Sequence, residues 1–418
     1  MMTQAFYSGI SGLKSNSIGI DAVSDNLANI NTVGYRGYEV EFSSIYEKSI
    51  ASTGNIFNSS IGIGTQVNGS TTMLETGSLL LSDKSTDLAV DGDGWFGVQG
   101  EDSAVYTRNG NFTFDENNDL VSADGYYVLG TMGGNIGEGD VLTSKLNEID
   151  LGEVASQEKL RFPKTLTYPP EATKNTSFIG NVGVGLEPVV MGASVIDSQN
   201  NKNHLKLKFT KDATQNPPGS QWTVVATTKS LDGETLYDTQ TGSVAFDSSG
   251  SLISSTLTTI DNNGTAVSID LGSGYEGIVS IDLPLSPGSS VSDGTIGGDL
   301  QGYAINKNAE VIATFTNGEQ SSVGKIALFH FQNDQGLERL SGSQFQKTSN
   351  SGEPIFFKDA TGQNIIGATV ANFKLETSNY DMATGLTQLI ILQRAYDANS
   401  KSVSTADQMM QKALSMDA

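Results

Sequence analysis

Two hydrophobic rhythms run through the chain, one at its ends and another between them. Near the start, Phe6, Leu13, Ile20 and Leu27 recur every seven residues, with Val23 and Ile30 on interleaved positions and Gly9 and Asn16 interrupting the stripe. Near the end, Leu375, Met382, Leu389, Tyr396, Val403 and Met410 repeat at the same interval, widened by Leu386, Leu392, Ala406, Ala413 and Leu414. Apolar residues at this spacing share one face of an α-helix, so both ends are predicted helical. An amphipathic helix most often packs on its own domain. Matching heptads at both termini point instead to helices that form a coiled coil with each other and with neighbouring chains.

From about residue 60 to 365 the rhythm shortens to strand length. Asn109-Gly110, Asp124-Gly125, Asp232-Gly233, Asn263-Gly264 and Asn317-Gly318 offer the positive φ that tight hairpins require. In the segment HLKLKF, Leu205, Leu207 and Phe209 alternate with Lys206 and Lys208, the pattern of a strand with one wet face. The expected class is therefore mostly β and multi-domain: antiparallel β domains inserted between terminal helices. Turn-rich seams at 168–173 and 286–299 set off residues 169–295 as a separate inserted domain. No fixed-period repeat is present.

Composition narrows the function classes. The 418 residues include 47 Asp and Glu against 24 Lys and Arg, a net charge of −23, which repels phosphate backbones and anionic lipid; nucleic acid is not expected as a partner. No apolar run approaches the roughly 20 residues of a membrane span, and Lys14 is followed by neither an apolar core nor a cleavage site, so neither membrane insertion nor a cleaved signal peptide is expected. With no cysteine, and only His204 and His330 as imidazoles, most hydrolytic and metal chemistry lacks its usual side chains.

The remaining chemical candidates are weak. Gly92, Gly94 and Gly97 match a dinucleotide-binding spacing, but the sequence after them reads as strand, hairpin and strand where that motif needs a helix. Asp115, Asn117 and Asp119 alternate like calcium ligands, yet Leu120 and Tyr126 occupy the positions where an EF-hand needs glycine and glutamate; an acidic β-turn is expected, with a looser metal site left open. Ser11 and Lys14 share an S-x-x-K spacing with none of its companion motifs. His330 falls on an apolar strand and is expected to be a hydrogen-bonded core residue. No catalytic, cofactor or metal residue is assigned, and the chain is not expected to be an enzyme.

Four stretches carry a family resemblance. The segment AFYSGISGLKSNSIGIDAVSDNLANINTVGYRGYEVEF resembles the start of flagellar rod and hook proteins, with the motif residues Ala28, Asn29, Asn31, Thr32, Gly34, Tyr35 and Arg36. Tyr35 and Arg36 stand where Phe and Lys are commoner. LETSNYDMATGLTQLIILQRAYDANSKSVSTADQMM resembles the closing helix of the same family, and the segments beginning TDLAVDGDGWFGV and GYAINKNAEVIATF resemble its middle. The resemblance covers about half the chain and is loose over 169–295. Distal rod subunits are generally much shorter, so it implies a hook subunit, a structural protein that polymerises into a flexible tubular joint. It also implies a division into a terminal helical domain (1–33 and 366–418), an extended linker (34–74), an inner β domain (75–168 and 296–365) and a variable outer β domain (169–295). The implied partners are further copies of the chain, rod and hook–filament junction proteins, the hook cap and the flagellar export apparatus. The implied location is the extracellular flagellum, reached through the flagellar channel. A distal rod or other axial protein, or a secreted β-rich adhesin, is the alternative; a carbohydrate-active enzyme has only acidic residues in its favour.

Overall fold

A computed structural model describes residues 2–48, 60–100, 103–213, 215, 219–283, 286–341 and 343–416. Helix α1 spans Met2–Ala28 and helix α2 spans Met382–Met416, with the strands between them. The helices lie side by side and antiparallel: Gly9 faces Val403, Gly12 faces Asn399 and Gly19 faces Leu392. A Cβ added at Gly9 would come within 2.6 Å of the Val403 side chain, so glycine here sets the interhelical distance. Gly9 is thus part of the contact face and not a break in it.

Two expected boundaries shift. Residues 34–74 are not simply a linker: strand β1 (Tyr38–Lys48) and strand β2 (Ser60–Thr72) pair antiparallel, with Tyr38 opposite Thr72. This hairpin is fixed to α1 by Asn26, whose amide donates to the Tyr38 carbonyl at 2.7 Å, and by Ser11, whose hydroxyl accepts from Thr65 N–H at 3.2 Å. At the other end, 366–381 is not helical. Leu375 lies in the strand Lys374–Glu376, paired with Leu79–Leu81, while Thr369–Asn372 pairs with Leu88–Asp91. The seven-residue step from Leu375 to Met382 crosses an N-cap, because Asp381 accepts from Thr384 N–H at 2.8 Å, so the helix begins after it.

Among the described residues, two large hydrophobic cores lie between the ends, with a smaller cluster around Trp95, Tyr106, Phe329 and Phe345. The first gathers Leu88, Phe96, Phe112, Phe162, Tyr168, Val311 and Phe315. Its main sheet is continuous across both halves of the sequence, because Tyr127–Met132 pairs with Gln320–Ile326. The second gathers Phe178, Phe209, Trp222, Val244 and Phe246 between two sheets. One is the meander Val189–Ile196, Lys202–Lys211, Ser220–Ser230, Leu236–Phe246 and Leu252–Ser255; the other centres on Asn175–Asn181. In the second sheet Asn175–Asn181 runs parallel to Thr265–Asp270, an exception to the all-antiparallel expectation. Ile278–Val279 also runs parallel to Asn175–Asn181, whereas Ser286–Ser292 is antiparallel to it.

Four of the five turn dipeptides behave as their residue types require. Gly125, Gly233, Gly264 and Gly318 have φ of +82°, +78°, +84° and +86°, and Asn263 joins Gly264 at positive φ in the turn between Thr259–Asn262 and Thr265–Asp270. Asn109-Gly110 is instead a site of close backbone approach: a Cβ on Gly110 would meet the Leu88 carbonyl oxygen at 1.9 Å.

The chain crosses between the two cores on adjacent segments, with Tyr168 paired to Gly298 and Glu171 to Thr295. Excising 169–295 and joining the ends through a short glycine linker is therefore expected to leave the first core folded. A cooperative melt of the shortened chain near the wild-type inner-domain transition would bear this out, and an unfolded product would place the boundary elsewhere.

Candidate assembly interface at the joined termini

The N-terminal motif lies at the foot of the helix pair. Asn29 donates to the Asp25 carbonyl at 2.9 Å and accepts from the Thr32 hydroxyl at 3.1 Å, closing the end of α1, while Asn31 is exposed. Gly34, at φ +67°, brings the chain so close to Arg108 and Asn109 that a Cβ would lie 2.4 Å from Asn109 N. Tyr35 then buries its ring and donates its hydroxyl to Asp25 and Asn26, both at 3.1 Å. Burial pushes this phenol well above its ordinary range, Asp25 adds to the rise, and Arg339, stacked 5.0 Å from the ring centroid, opposes it.

Arg36 ends the motif in a buried ion cluster. Its Nη2 is 3.0 Å from Glu376 Oε1, and Arg108 Nη1 is 3.5 Å from Glu376 Oε2; the three side chains are 1–3% exposed. Gly77 N–H donates to Glu376 Oε1 at 2.8 Å, Arg108 donates to the Gly92 carbonyl at 2.8 Å, and Arg36 donates to the Glu75 carbonyl. Desolvation lowers both guanidinium groups, Arg108 down to about 10, with Asp93 and Asp334 supporting their charge from further away. Both arginines remain cationic at neutral pH. Asn379 completes the joint, accepting from Gly37 N–H at 2.8 Å and donating to the Met73 and Glu75 carbonyls at 2.9 and 2.8 Å. Sequence reasoning missed Arg108, Glu376 and Arg339 because partners this far apart along the chain carry no spacing signal.

The predicted stripe residues divide between two environments. Phe6, Leu13, Ile20, Leu27, Leu389, Val403 and Met410 are half-buried within the helix pair and its hairpin, Tyr396 is exposed, and Leu375 belongs to a strand. Met382, Leu386, Ile390 and Ile391 are 51%, 44%, 53% and 60% exposed. Beside them, Ala22, Val23, Val40, Phe42, Ile391 and Leu392 line an open groove of about 230 Å³ between α1, β1 and α2. The helix pair therefore has one face used within the chain and an apolar flank that nothing among the described residues covers.

Elsewhere, chemically suggestive residues serve the fold. His330 is buried, 2.8 Å from the Ile366 carbonyl oxygen and packed on Phe357, and burial lowers its pKa. Gly92 and Gly94, at φ +118° and +128°, turn one strand into the next. Asp115 accepts from Asn117 and Asp119 N–H, both at 2.8 Å, and Asp119 forms a two-point ion pair with Arg161 at 2.6 and 2.9 Å that lowers its pKa. His204 is exposed on the wet face predicted for its strand.

Three family models match the chain: flagella basal body rod protein over residues 6–36, flagellar hook protein FlgE/F/G D1 domain over 89–175, and flagellar basal body rod FlgEFG protein C-terminal over 373–416. The flagellar hook protein FlgE of Borreliella burgdorferi is 28% identical across 98% of this chain and 99% of its own length. The chain is similar to flagellar rod and hook proteins along nearly its whole length. The hook protein FlgE of Escherichia coli K12 is 26% identical, with 97% and 98% of the two chains covered. In fold, the chain is similar to the Helicobacter pylori flagellar hook protein FlgE2, with a TM-score of 0.55 at 16% identity over 71% of this chain and 100% of that one.

The ion cluster generates a first test. Glu376→Gln leaves two buried guanidinium charges without a counter-ion and is expected to cost about 3–5 kcal/mol in urea unfolding; a loss below about 1 kcal/mol would contradict the pairing. Tyr35 generates a second. Its folded pKa lies above the unfolded value of 10.0, so above pH 10 the unfolded chain releases a proton that the folded chain retains, and stability falls as pH rises. Tyr35→Phe is expected to shallow that alkaline fall in a pH series of melts, and an unchanged slope would remove Tyr35 as its source.

Proposed function

We infer that this chain is a structural subunit of the bacterial flagellar hook, polymerising through its terminal helices into the tube that joins rod to filament. The observation that carries the reading is the end-to-end match to hook proteins, 98% of this chain against 99% of the Borreliella protein, which takes in residues 169–295 as well as the ends. The physical support lies in the helix pair. Its flank of Met382, Leu386, Ile390 and Ile391, with the adjoining groove, is apolar surface that a neighbouring subunit can bury. Among the described residues no helix is long and apolar enough to cross a membrane. Family resemblance supports the finer picture: export through the flagellar channel, contact with rod, junction and cap proteins, and the four-part domain division with an outer domain over 169–295.

Electron microscopy of purified protein under assembly conditions tests the reading. Tubes support it, whereas a monomer that binds cells or glycans supports an adhesin. Ile390 is a sharper probe than Leu389, which is half-buried inside the helix pair. Ile390→Asp is expected to leave the monomer melt within about 0.5 kcal/mol of wild type, as for an exposed site, and to abolish pelletable polymer by placing a carboxylate in a dry contact. Leu389→Asp should lower both. Normal tubes from Ile390→Asp would remove this flank from the interface.

A further inference from the structure

The domain 175–292 is a two-sheet sandwich, so each sheet turns one face to the shared core and the other outward. On the meander the outward face is basic. Lys202, His204, Lys206 and Lys208 alternate with buried Asn203, Leu205, Leu207 and Phe209, and Lys229 stands opposite His204 on the next strand. Four of the six basic residues between 169 and 295, Lys202, Lys206, Lys208 and Lys229, thus share one face; Lys174 and Lys211 lie elsewhere. Among the described residues none of the four forms an ion pair. The cross-strand neighbours of Lys206 and Lys208, namely Gly192, Val190, Val225 and Thr227, are uncharged, and the surface between them dips into a hollow of about 330 Å³.

The other sheet carries more acid than base, with exposed Lys174 beside Asp293 its one lysine. Its outward positions include Asp261, across from Ala266, and Asp270, level with Ser177, with exposed Asp293 at the edge beside Asn175. In a chain of net charge −23, collecting unpaired lysines on one flat face carries a repulsive cost that an approaching acidic surface removes.

We propose that this lysine face docks on the acidic face of the same domain in a second copy of the chain, a head-to-tail contact that repeats along the polymer. Opposite faces of one sandwich, opposite in sign, make a heterologous contact that leaves both ends open, whereas a two-fold contact would set like charge on like. The contact deepens the polymer reading and rests on it. Because exposed ion pairs are individually weak and salt-screened, it tunes how subunits associate, while the apolar helix flank holds them.

The test uses the full chain in two variants altered only at exposed positions. Lys206→Glu/Lys208→Glu cancels the charge of one face; Thr259→Lys/Ala266→Lys adds positive charge to the other and leaves Asp261, Asp270 and Asp293 in their turns. At about 0.05 M salt, where screening is weak, each variant alone is expected to raise the concentration needed for pelletable polymer by about tenfold, the effect of a few weak pairs turned repulsive. A one-to-one mixture should assemble at a lower concentration than either variant alone, since an unaltered lysine face can then meet an unaltered acidic face. The differences should shrink in about 1 M salt, where the screening length falls to about 3 Å, and both monomer melts should match wild type. Variants that assemble like wild type at low salt, or a mixture no better than its parts, overturn the contact alone. A wild-type chain that builds no polymer at any salt removes the polymer reading and this contact with it. If the lysine variant assembles normally but loses a wild-type retention on immobilised heparin, the face serves a polyanion and the proposal falls.

Discussion

Glu376 sits between Arg36 and Arg108 where none of the three side chains reaches water. Those residues come from the N-terminal motif, the end of the strand Ala104–Thr107 and the last strand before α2, so one carboxylate joins segments hundreds of residues apart. A buried charge is tolerable only when paired, and breaking such a pair is more costly than never having built it. The joint is therefore close to all-or-none. Around it the remaining ties are neutral and directional: Asn379 and Gln335 each accept and donate to the backbone at the foot of the hairpin, and Arg339 lies over the rings of Tyr35, Tyr38 and Phe345. Three residues beyond Asn379, α2 begins, so the joint also sets where the helix starts and how it leans on α1.

That constraint explains the unequal use of the two helix faces. With both helix ends tied at one point, the antiparallel pair can close tightly only where side chains are small, and Gly9, Gly12 and Gly19 provide that line. Glycine inside a helix costs roughly 0.5–1 kcal/mol relative to alanine, so the line persists for the close approach it permits. Leu386, Ile390 and Ile391 fall outside this contact, on the flank. One helix can then serve two purposes: small residues joined within the chain, large apolar residues left for a neighbour.

The sequence made period legible and long-range pairing illegible. The alternation of HLKLKF is reproduced residue by residue on Lys202–Lys211, because a strand with one wet face has period two whatever it pairs with. The helical ends were legible for the same reason, but the heptad overran into 366–381, where Asp381 caps the helix and the strand holding Leu375 pairs with residues near 80. Gly9 reads as an interruption because a stripe argument rewards bulk, while a close helix contact rewards its absence. The Arg36–Glu376–Arg108 cluster had no local signature at all: a buried ionic residue and a solvated one look alike until the fold brings the partner.

The two kinds of surface also differ in how they respond to displacement. A dry apolar contact holds its energy in close-packed atoms, and a gap of even 0.5–1 Å forfeits a quarter to a half of each pairwise attraction. A charge pair in water is worth about 1 kcal/mol at 4 Å and declines only as the inverse of distance, so widening it to about 6 Å costs roughly a third of a small quantity. In a tube that bends, the distances between subunits change most at large radius. The helices and their apolar flank, stiff against displacement, suit the inner wall, where those changes are least. A lysine face held to an acidic face through solvent suits the outside, because it can lengthen on one flank of the bend and shorten on the other with little net change in energy.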